Sequence, residues 1–308
     1  MIRTIGATGL ALLALTLSAC GPAQGPERGG AETLRGWTAS YAVYGRSGDL
    51  AVVARDPDFR LRAVVVRDGR IVARTPEGVD AYNIGWFPEG DAVLVVAVDP
   101  KTDESVLLRL EASGRTSRVH LDRKLWLENP PTVAPDGRSA VMSAATSAEE
   151  PRTFDLFKVD LATGHTTRLH GDAVLDEGAP AYVSEDRLLL TLAYDVGDER
   201  RVVLASLDLR TGHVTRLTDP RIVVGPPSVD PVRGVAVFTA YEAANAAKRG
   251  LYGVRLDRPG ARLLFETRSN RPSLAPTGDR VVVTSVGGSA GIGAIEELPV
   301  DLAPLLRD

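Results

Sequence analysis

The chain has 308 residues, 44 % of them hydrophobic and 25 % charged, with a net charge of −4. That balance argues against a disordered polymer and against a nucleic-acid partner, which would need a basic stripe to displace counterions. A single cysteine, Cys20, excludes an internal disulfide and any metal site built from several thiolates, and aromatic residues at 5 % supply few platforms for stacked bases.

Met1–Ala19 carries one basic residue, Arg3, and then an uncharged apolar run through Leu17. The run is too short to span a bilayer comfortably and fits the central region of a secretory signal. Its removal takes Lys+Arg from 36 to 35 against 40 acids, a charge of −5. Leu17-Ser18-Ala19-Cys20 resembles a bacterial lipobox, in which small residues precede the cysteine to be acylated. The resemblance implies thioether lipidation of Cys20, cleavage before it, and attachment to a membrane. Several acyl chains hold a protein far more firmly than one, since each buried CH₂ contributes about 0.8 kcal/mol. The expected location is the cell envelope outside the cytoplasm. Gly21 rather than Asp follows the cysteine, which implies the outer membrane facing the periplasm where the host has two membranes. Residues 20–31 read as a flexible Gly- and Pro-rich tether.

From residue 32 onwards the chain keeps rewriting one stretch. Pro131-Thr132-Val133-Ala134-Pro135-Asp136-Gly137 has close copies in Pro227–Pro231 and Pro272–Gly278, and looser ones in Pro180–Asp186, Ile84–Gly90 and Ala42–Gly48. Aligned at Arg46, Pro88, Pro135, Ser184, Pro231 and Pro276, they are spaced by 42, 47, 49, 47 and 45 residues. Units of about 40–50 residues have the period of four-stranded propeller blades. A second marker, a glycine turn, follows in each later half: Asp68-Gly69, Ser113-Gly114, Thr163-Gly164, Thr211-Gly212 and Pro259-Gly260. Glycine there is hairpin chemistry, because it adopts positive φ freely. The reading is an all-β, six-bladed β-propeller over residues 32–302, with residues 303–308 as a tail. Glu32-Thr33-Leu34-Arg35, similar to Thr167-Arg168-Leu169, is expected to close the last blade as its fourth strand and remove an exposed edge; the alternative closure uses Leu305–Arg307.

Ala134-Pro135-Asp136-Gly137-Arg138, and Val159-Asp160-Leu161-Ala162-Thr163-Gly164 leading to Thr167-Arg168-Leu169, resemble the TolB-type propeller repeat. The resemblance runs from about residue 40 to residue 302 and implies the fold. TolB carries an α/β domain before its propeller, whereas here a short tether precedes the first blade, so functions of that domain do not transfer. A propeller is a scaffold with many uses.

Chemistry is sparse. Gly287-Gly288-Ser289-Ala290-Gly291 fits the pattern of a nucleophile elbow but lacks the following helix and a downstream histidine. His120, His165, His170 and His213 fall at paired repeat positions in different blades, too far apart for a convergent metal or catalytic cluster. The acidic loops Asp99–Glu104 and Asp195–Glu199 lack calcium-loop spacing. No cofactor or metal is therefore expected, and no catalytic residue is assigned. Tyr44, Trp86 and Tyr182 share one repeat position and are expected between blades.

The short turns fall on one face of the propeller. The longer connections, Leu121–Pro130, His170–Ala179, Thr218–Pro226, Thr146–Arg152 and Glu242–Gly250, fall on the other, and Glu242–Arg249 has helix propensity. Function concentrates on such variable loops around a rigid scaffold. Trp126, with Leu125 and Glu128, is the candidate partner surface, because an aromatic in a connection has no packing role set by the repeat. Tyr82, Asn129, Glu177, Asn270 and Arg271 are the candidate lining of the central funnel. The expected function is an interaction module that docks a protein or peptide; the alternative is a funnel that binds or processes a sugar or small peptide.

Overall fold

The structure, a computed structural model, describes residues 34–147, 153–171, 175–243, 245–285 and 293–307. Six antiparallel sheets follow one another along the chain, each ordered outward from its first strand. Blade 1 holds β1 (Thr38–Tyr44), β2 (Leu50–Arg55), β3 (Leu61–Arg67) and β4 (Arg70–Arg74). Blade 2 holds β5 (Asp80–Trp86), β6 (Ala92–Asp99), β7 (Glu104–Glu111) and β8 (Thr116–Val119). Blade 3 holds β9 (Trp126–Val133), β10 (Ser139–Ala145), β11 (Asp155–Asp160) and β12 (Thr166–His170). Blade 4 holds β13 (Asp176–Ser184), β14 (Arg187–Val196), β15 (Glu199–Asp208) and β16 (Val214–Arg216). In blade 5 the inner strand is split into β17 (Ile222–Val224) and β18 (Ser228–Asp230). Both pair with β19 (Val235–Glu242), which is followed by β20 (Asn245–Arg255) and β21 (Arg262–Glu266). Blade 6 shows β22 (Asn270–Leu274), β23 (Arg280–Thr284) and β24 (Ile295–Pro299), and one helical turn, α1 (Ala303–Leu306), follows it. The chain is the expected six-bladed propeller.

The middle strands read as unbroken apolar runs because both of their faces are covered. β6 shows how. Val93, Val95 and Ala97 enter a core shared with Tyr41, Val53 and Val65 of blade 1. Ala92, Leu94 and Val96 face the other way, into a core with Ala140 and Met142 of blade 3. Side chains alternate along a strand, so one strand serves two interfaces.

The rewritten stretch is the turn from inner to second strand. Gly48, Gly90, Gly137 and Gly278 each donate their N–H to the carbonyl three residues back, at 2.9–3.0 Å, with φ between 69° and 87°. Its Ser/Thr position has a separate role. Thr132, Ser228 and Ser273 occupy equivalent places, and their hydroxyls accept the N–H of Tyr182, Leu274 and Tyr44 on the next blade, at 3.2, 2.9 and 3.0 Å. The repeat therefore encodes the joint between blades as well as the turn. Trp86 lies at the same joint, donating its indole N–H to the Val43 carbonyl at 2.9 Å.

Three expectations change. Glu242–Arg249 is not helical: Tyr241↔Arg249 and Ala240↔Gly250 continue the β19–β20 ladder to its hairpin end. A ladder already anchored by a blade outcompetes one short helix with a costly nucleus. The connections are also shorter than the sequence suggested, because Trp126–Pro130 belongs to β9 and Ile222–Val224 to β17. Finally, Leu34 and Arg35, the described part of the proposed closing strand, sit in a turn, and blade 6 has three strands among the described residues. Glu32 and Thr33 lie outside the described residues. Leu34 and Trp37 instead pack into a cluster with Val282 and Ile295 of blade 6, and the Ala39 N–H donates to the Gly293 carbonyl at 2.9 Å. Leu305 does not close the blade as a strand; it is buried from α1 in the core shared by Val237, Leu251 and Val283. Among the described residues no helix is long and apolar enough to cross a membrane.

Candidate functional site

The six inner strands surround the propeller axis, and none of them is regular. In β9 the pairing with β10 jumps from Thr132↔Val141 to Glu128↔Ser143. In β13 it jumps from Gly178↔Thr191 to Ala181↔Leu189, and in β22 from Asn270↔Thr284 to Ser273↔Val282. At the start of each gap stands a non-glycine residue in the left-handed region: Asn129 (φ 64°), Ala179 (φ 43°) and Arg271 (φ 47°). Each precedes a proline: Pro130, Pro180 and Pro272. Proline has no N–H for a ladder and disfavours ordinary helical geometry in the residue before it, so the bulge is written locally. Gly225-Pro226-Pro227 splits the inner strand of blade 5 at the corresponding place. Blades 1 and 2 carry smaller slips, at Ala39/Tyr41 and at Ala81/Asn83. Bulges re-aim side chains, and strained backbone gathers at sites of function.

The slips at Tyr41, Asn83 and Arg271 bring three blades together. The Arg271 guanidinium lies 4.5 Å over the Tyr41 ring and donates an N–H to Asn83 Oδ1 at 3.1 Å. Arg271 is on blade 6 and Asn83 on blade 2, so this side chain passes the inner strand of blade 1 to make the contact. Tyr41 is 2 % exposed; its hydroxyl accepts the Ile84 N–H and donates to Asn83 Oδ1 at 3.4 Å. Burial pushes the Tyr41 hydroxyl well above the ordinary phenol range, opposed by the positive charge of Arg271 beside it. A second arginine stands close by: Arg249 donates to Asn270 Oδ1 at 3.5 Å and lies 5.4 Å over the Tyr241 ring.

Of the funnel residues named from sequence, Arg271 and Asn270 thus each make a polar contact between blades, Arg271 to Asn83 and Asn270 from Arg249. Tyr82 is the extra residue of the blade 2 bulge and is 45 % exposed. Asn129 packs against the next inner strand, where a Cβ on Gly178 would lie 3.1 Å from its Nδ2. Glu177 is not part of the lining. It is fully buried and turned into blade 3, accepting the Leu156 N–H at 3.2 Å and meeting His170 Nδ1. On the proposed partner surface, Leu125 is buried with Ala144 and Phe157. Trp126 is half-buried at the start of β9 with the Lys124 ammonium 5.2 Å over its ring, and Glu128 is exposed. The sequence reading missed Tyr41, Asn83 and Arg249. The X-Pro ahead of the repeat turns in blades 3, 4 and 6 was the available signal for their bulges, but not for which side chains meet across the axis.

His165 directly precedes β12 and His170 ends it, so both lie in blade 3 rather than in different blades, and both have carboxylate partners. His165 Nδ1 lies 2.7 Å from Asp122 Oδ2. Hydrogen bonds from Thr166, with the imidazole of His165, hold the Asp122 carboxyl down at about 2. Glu177 is raised by burial, with His170 opposing. Among the described residues no group of three or more histidines, cysteines or acids could hold a metal ion. Cys20 and Gly287–Gly291 lie outside the described residues.

No protein-family model matches the chain, and no curated protein matches it in sequence. Solved structures do match in shape. TolB from Acinetobacter baumannii superposes with a TM-score of 0.61 at 16 % identity, over 85 % of this chain and 61 % of that one. A structure assigned as TolB from Agrobacterium tumefaciens gives 0.60 at 15 % identity, over 86 % and 91 %. The fold is that of the TolB propellers. This chain spans less than two thirds of the Acinetobacter protein. The same architecture also serves an enzyme: an oligogalacturonate lyase from Vibrio parahaemolyticus matches with a TM-score of 0.57 at 13 % identity, over 89 % and 91 %. At these identities the likeness to the TolB propellers extends to the fold and not to the activity.

Proposed function

We propose that the chain is a lipid-anchored, extracytoplasmic propeller that docks a protein or peptide partner at the mouth of its funnel. The observation that carries this reading is the arrangement of the inner strands. An exposed tyrosine on a bulge, a half-buried tryptophan under a lysine, and an arginine held in left-handed backbone stand on blades 2, 3 and 6. Aromatic and arginine side chains on a rigid frame are the residues that dominate interface energies. Enzymatic work would need an acid/base pair aimed into the funnel, and among the described residues the buried carboxylate–imidazole pair, Glu177 with His170, is turned into blade 3 instead.

The test is co-purification of the full-length protein from bacterial membranes, comparing wild type with Tyr82→Ala/Trp126→Ala. Loss of a stoichiometric partner from the double variant, with an unchanged melt, is the expected result. A partner retained by that variant overturns the funnel-mouth assignment, and a low-mass ligand travelling with the protein in place of a partner favours the small-molecule alternative. Cys20→Ala is expected to release the protein from membranes; a variant that still pellets and resists salt washing overturns the anchor.

A further inference from the structure

Arginines on the outer parts of the blades sit beside carboxylates: Arg62 by Asp56 at 3.2 Å, Arg115 by Glu111 at 2.5 Å, Arg168 by Asp155 at 3.0 Å. Arg271 on the inner strand of blade 6, and Arg249 of β20 that reaches Asn270 on that strand, are held differently. Arg271 has the Tyr41 ring and an amide oxygen of Asn83; Arg249 has the Tyr241 ring and an amide oxygen of Asn270. Among the described residues neither is paired with a carboxylate. A guanidinium keeps its charge at any ordinary pH. Ring faces and amide oxygens orient it and offset part of its desolvation, but they carry no formal negative charge. Such a group is positioned and left uncompensated, which is the state of a receptor for an anion.

Resting on the docking reading above, we infer that Arg271 and Arg249 receive the carboxylates of an acidic peptide segment entering the funnel. Arg271 is the primary contact, because its backbone is strained into the one conformation that sends it across blade 1. A peptide fits better than a lone anion for a reason of backbone chemistry. The bulges at Asn129–Pro131, Ala179–Pro180 and Arg271–Pro272 interrupt the ladders beside the axis, and groups outside a ladder are those that an incoming main chain can pair with. Tyr82, exposed on its own bulge, offers that segment an apolar face.

The experiment uses the full chain and three probes: labelled hexaglutamate, labelled hexaglutamine and trigalacturonate, followed by anisotropy or calorimetry at fixed salt. Hexaglutamate is expected to bind and hexaglutamine not. Arg271→Gln should weaken hexaglutamate by about tenfold or more, as for loss of a charge-assisted hydrogen bond; Arg249→Gln should weaken it less, and Arg115→Gln not at all. Because Arg271 also joins three blades, Asn83→Asp is the second variant. It places a carboxylate against the guanidinium, so it should keep or raise the melting temperature while abolishing peptide binding. Equal binding by wild type and Asn83→Asp, or equal binding of hexaglutamate and hexaglutamine, overturns the inference. If a native partner binds Arg271→Gln as well as wild type but is lost from Tyr82→Ala, the acidic contact falls and the docking reading stands. If trigalacturonate alone binds in an Arg271-dependent way, the anion is a sugar acid and both fall.

Discussion

In blade 4 the two middle strands pair residue for residue, from Arg187↔Asp208 to Val196↔Glu199, while the inner strand beside them slips twice over nine residues. The same contrast recurs around the ring. Middle strands are buried on both faces and belong to two cores at once; inner strands are bulged or split and partly exposed, and those of blades 3, 4 and 6 bear prolines. A buried two-faced ladder fixes register, because a one-residue slip would turn every apolar side chain to the wrong interface. An inner edge has a neighbour on one side only, so it can lose ladder rungs without loss of register. On the docking proposal, stability is assigned to the blade bodies and recognition to the inner edges.

The sharpest way to break that division is to damage a blade body. Phe238 is fully buried in β19 and stacks on Tyr252 with ring centroids 6.2 Å apart. Phe238→Ala should cost about 3–5 kcal/mol, read by denaturant unfolding, while any funnel ligand binds the folded fraction with unchanged affinity. A change in affinity would show that body and edge are coupled.

Next in size is an inner-edge position where a neighbouring backbone leaves no room. A Cβ on Gly85 would lie 2.1 Å from the Pro131 carbonyl oxygen of blade 3, a backbone atom that cannot move aside alone. Gly85→Ala should cost about 1–3 kcal/mol or more as the two inner strands separate. A thermal melt unchanged from wild type would mean that the edges are looser than the division requires.

Ser273→Ala asks how much the encoded joint between blades contributes. It removes the acceptor of the Tyr44 N–H and leaves that donor at a half-buried position, so a loss of about 1 kcal/mol is expected. Thr132→Val and Ser228→Ala should behave alike if the three are one repeated device; additivity of the losses in the triple variant checks it.

The legibility of these parts follows the same division. Blade bodies and their turns repeat, so Pro135-Asp136-Gly137 and Thr163-Gly164 were enough to number and place six blades. The Thr132, Ser228 and Ser273 joints were visible as letters of the repeat, though not as hydrogen bonds. The funnel cluster does not repeat. Tyr41, Asn83 and Arg271 come from three different inner strands, the last two 188 positions apart, and no local spacing links them. Glu177 was misplaced because a position on an inner strand suggests the axis, whereas a fully buried carboxylate goes where its partners are. Glu242–Arg249 was misread because alanine-rich propensity is weak beside a ladder already begun.

The smallest expected effect concerns that carboxylate. Glu177 sits on an inner strand yet is tied to blade 3 through Leu156 and His170. Burial raises its carboxyl above the usual range, and the His170 imidazole and the Leu156 N–H oppose this without cancelling it. A raised folded-state value means that the folded chain holds this proton more tightly than the unfolded chain, where glutamate titrates near about 4.3. Its contribution to stability is then fully present below that value and is lost as pH rises through the higher folded one. Glu177→Gln keeps an oxygen to accept the Leu156 N–H and does not titrate. The melting temperature of wild type should therefore fall relative to Glu177→Gln as pH rises from about 4.3, and the difference should level off once the folded carboxyl is ionised. Repeating the series in a His170→Gln background removes the imidazole and should steepen the fall, because burial then acts unopposed. A wild type that instead gains on Glu177→Gln with rising pH would mean that the imidazole outweighs burial, and that this inner-strand residue is an ion-pair anchor for blade 3.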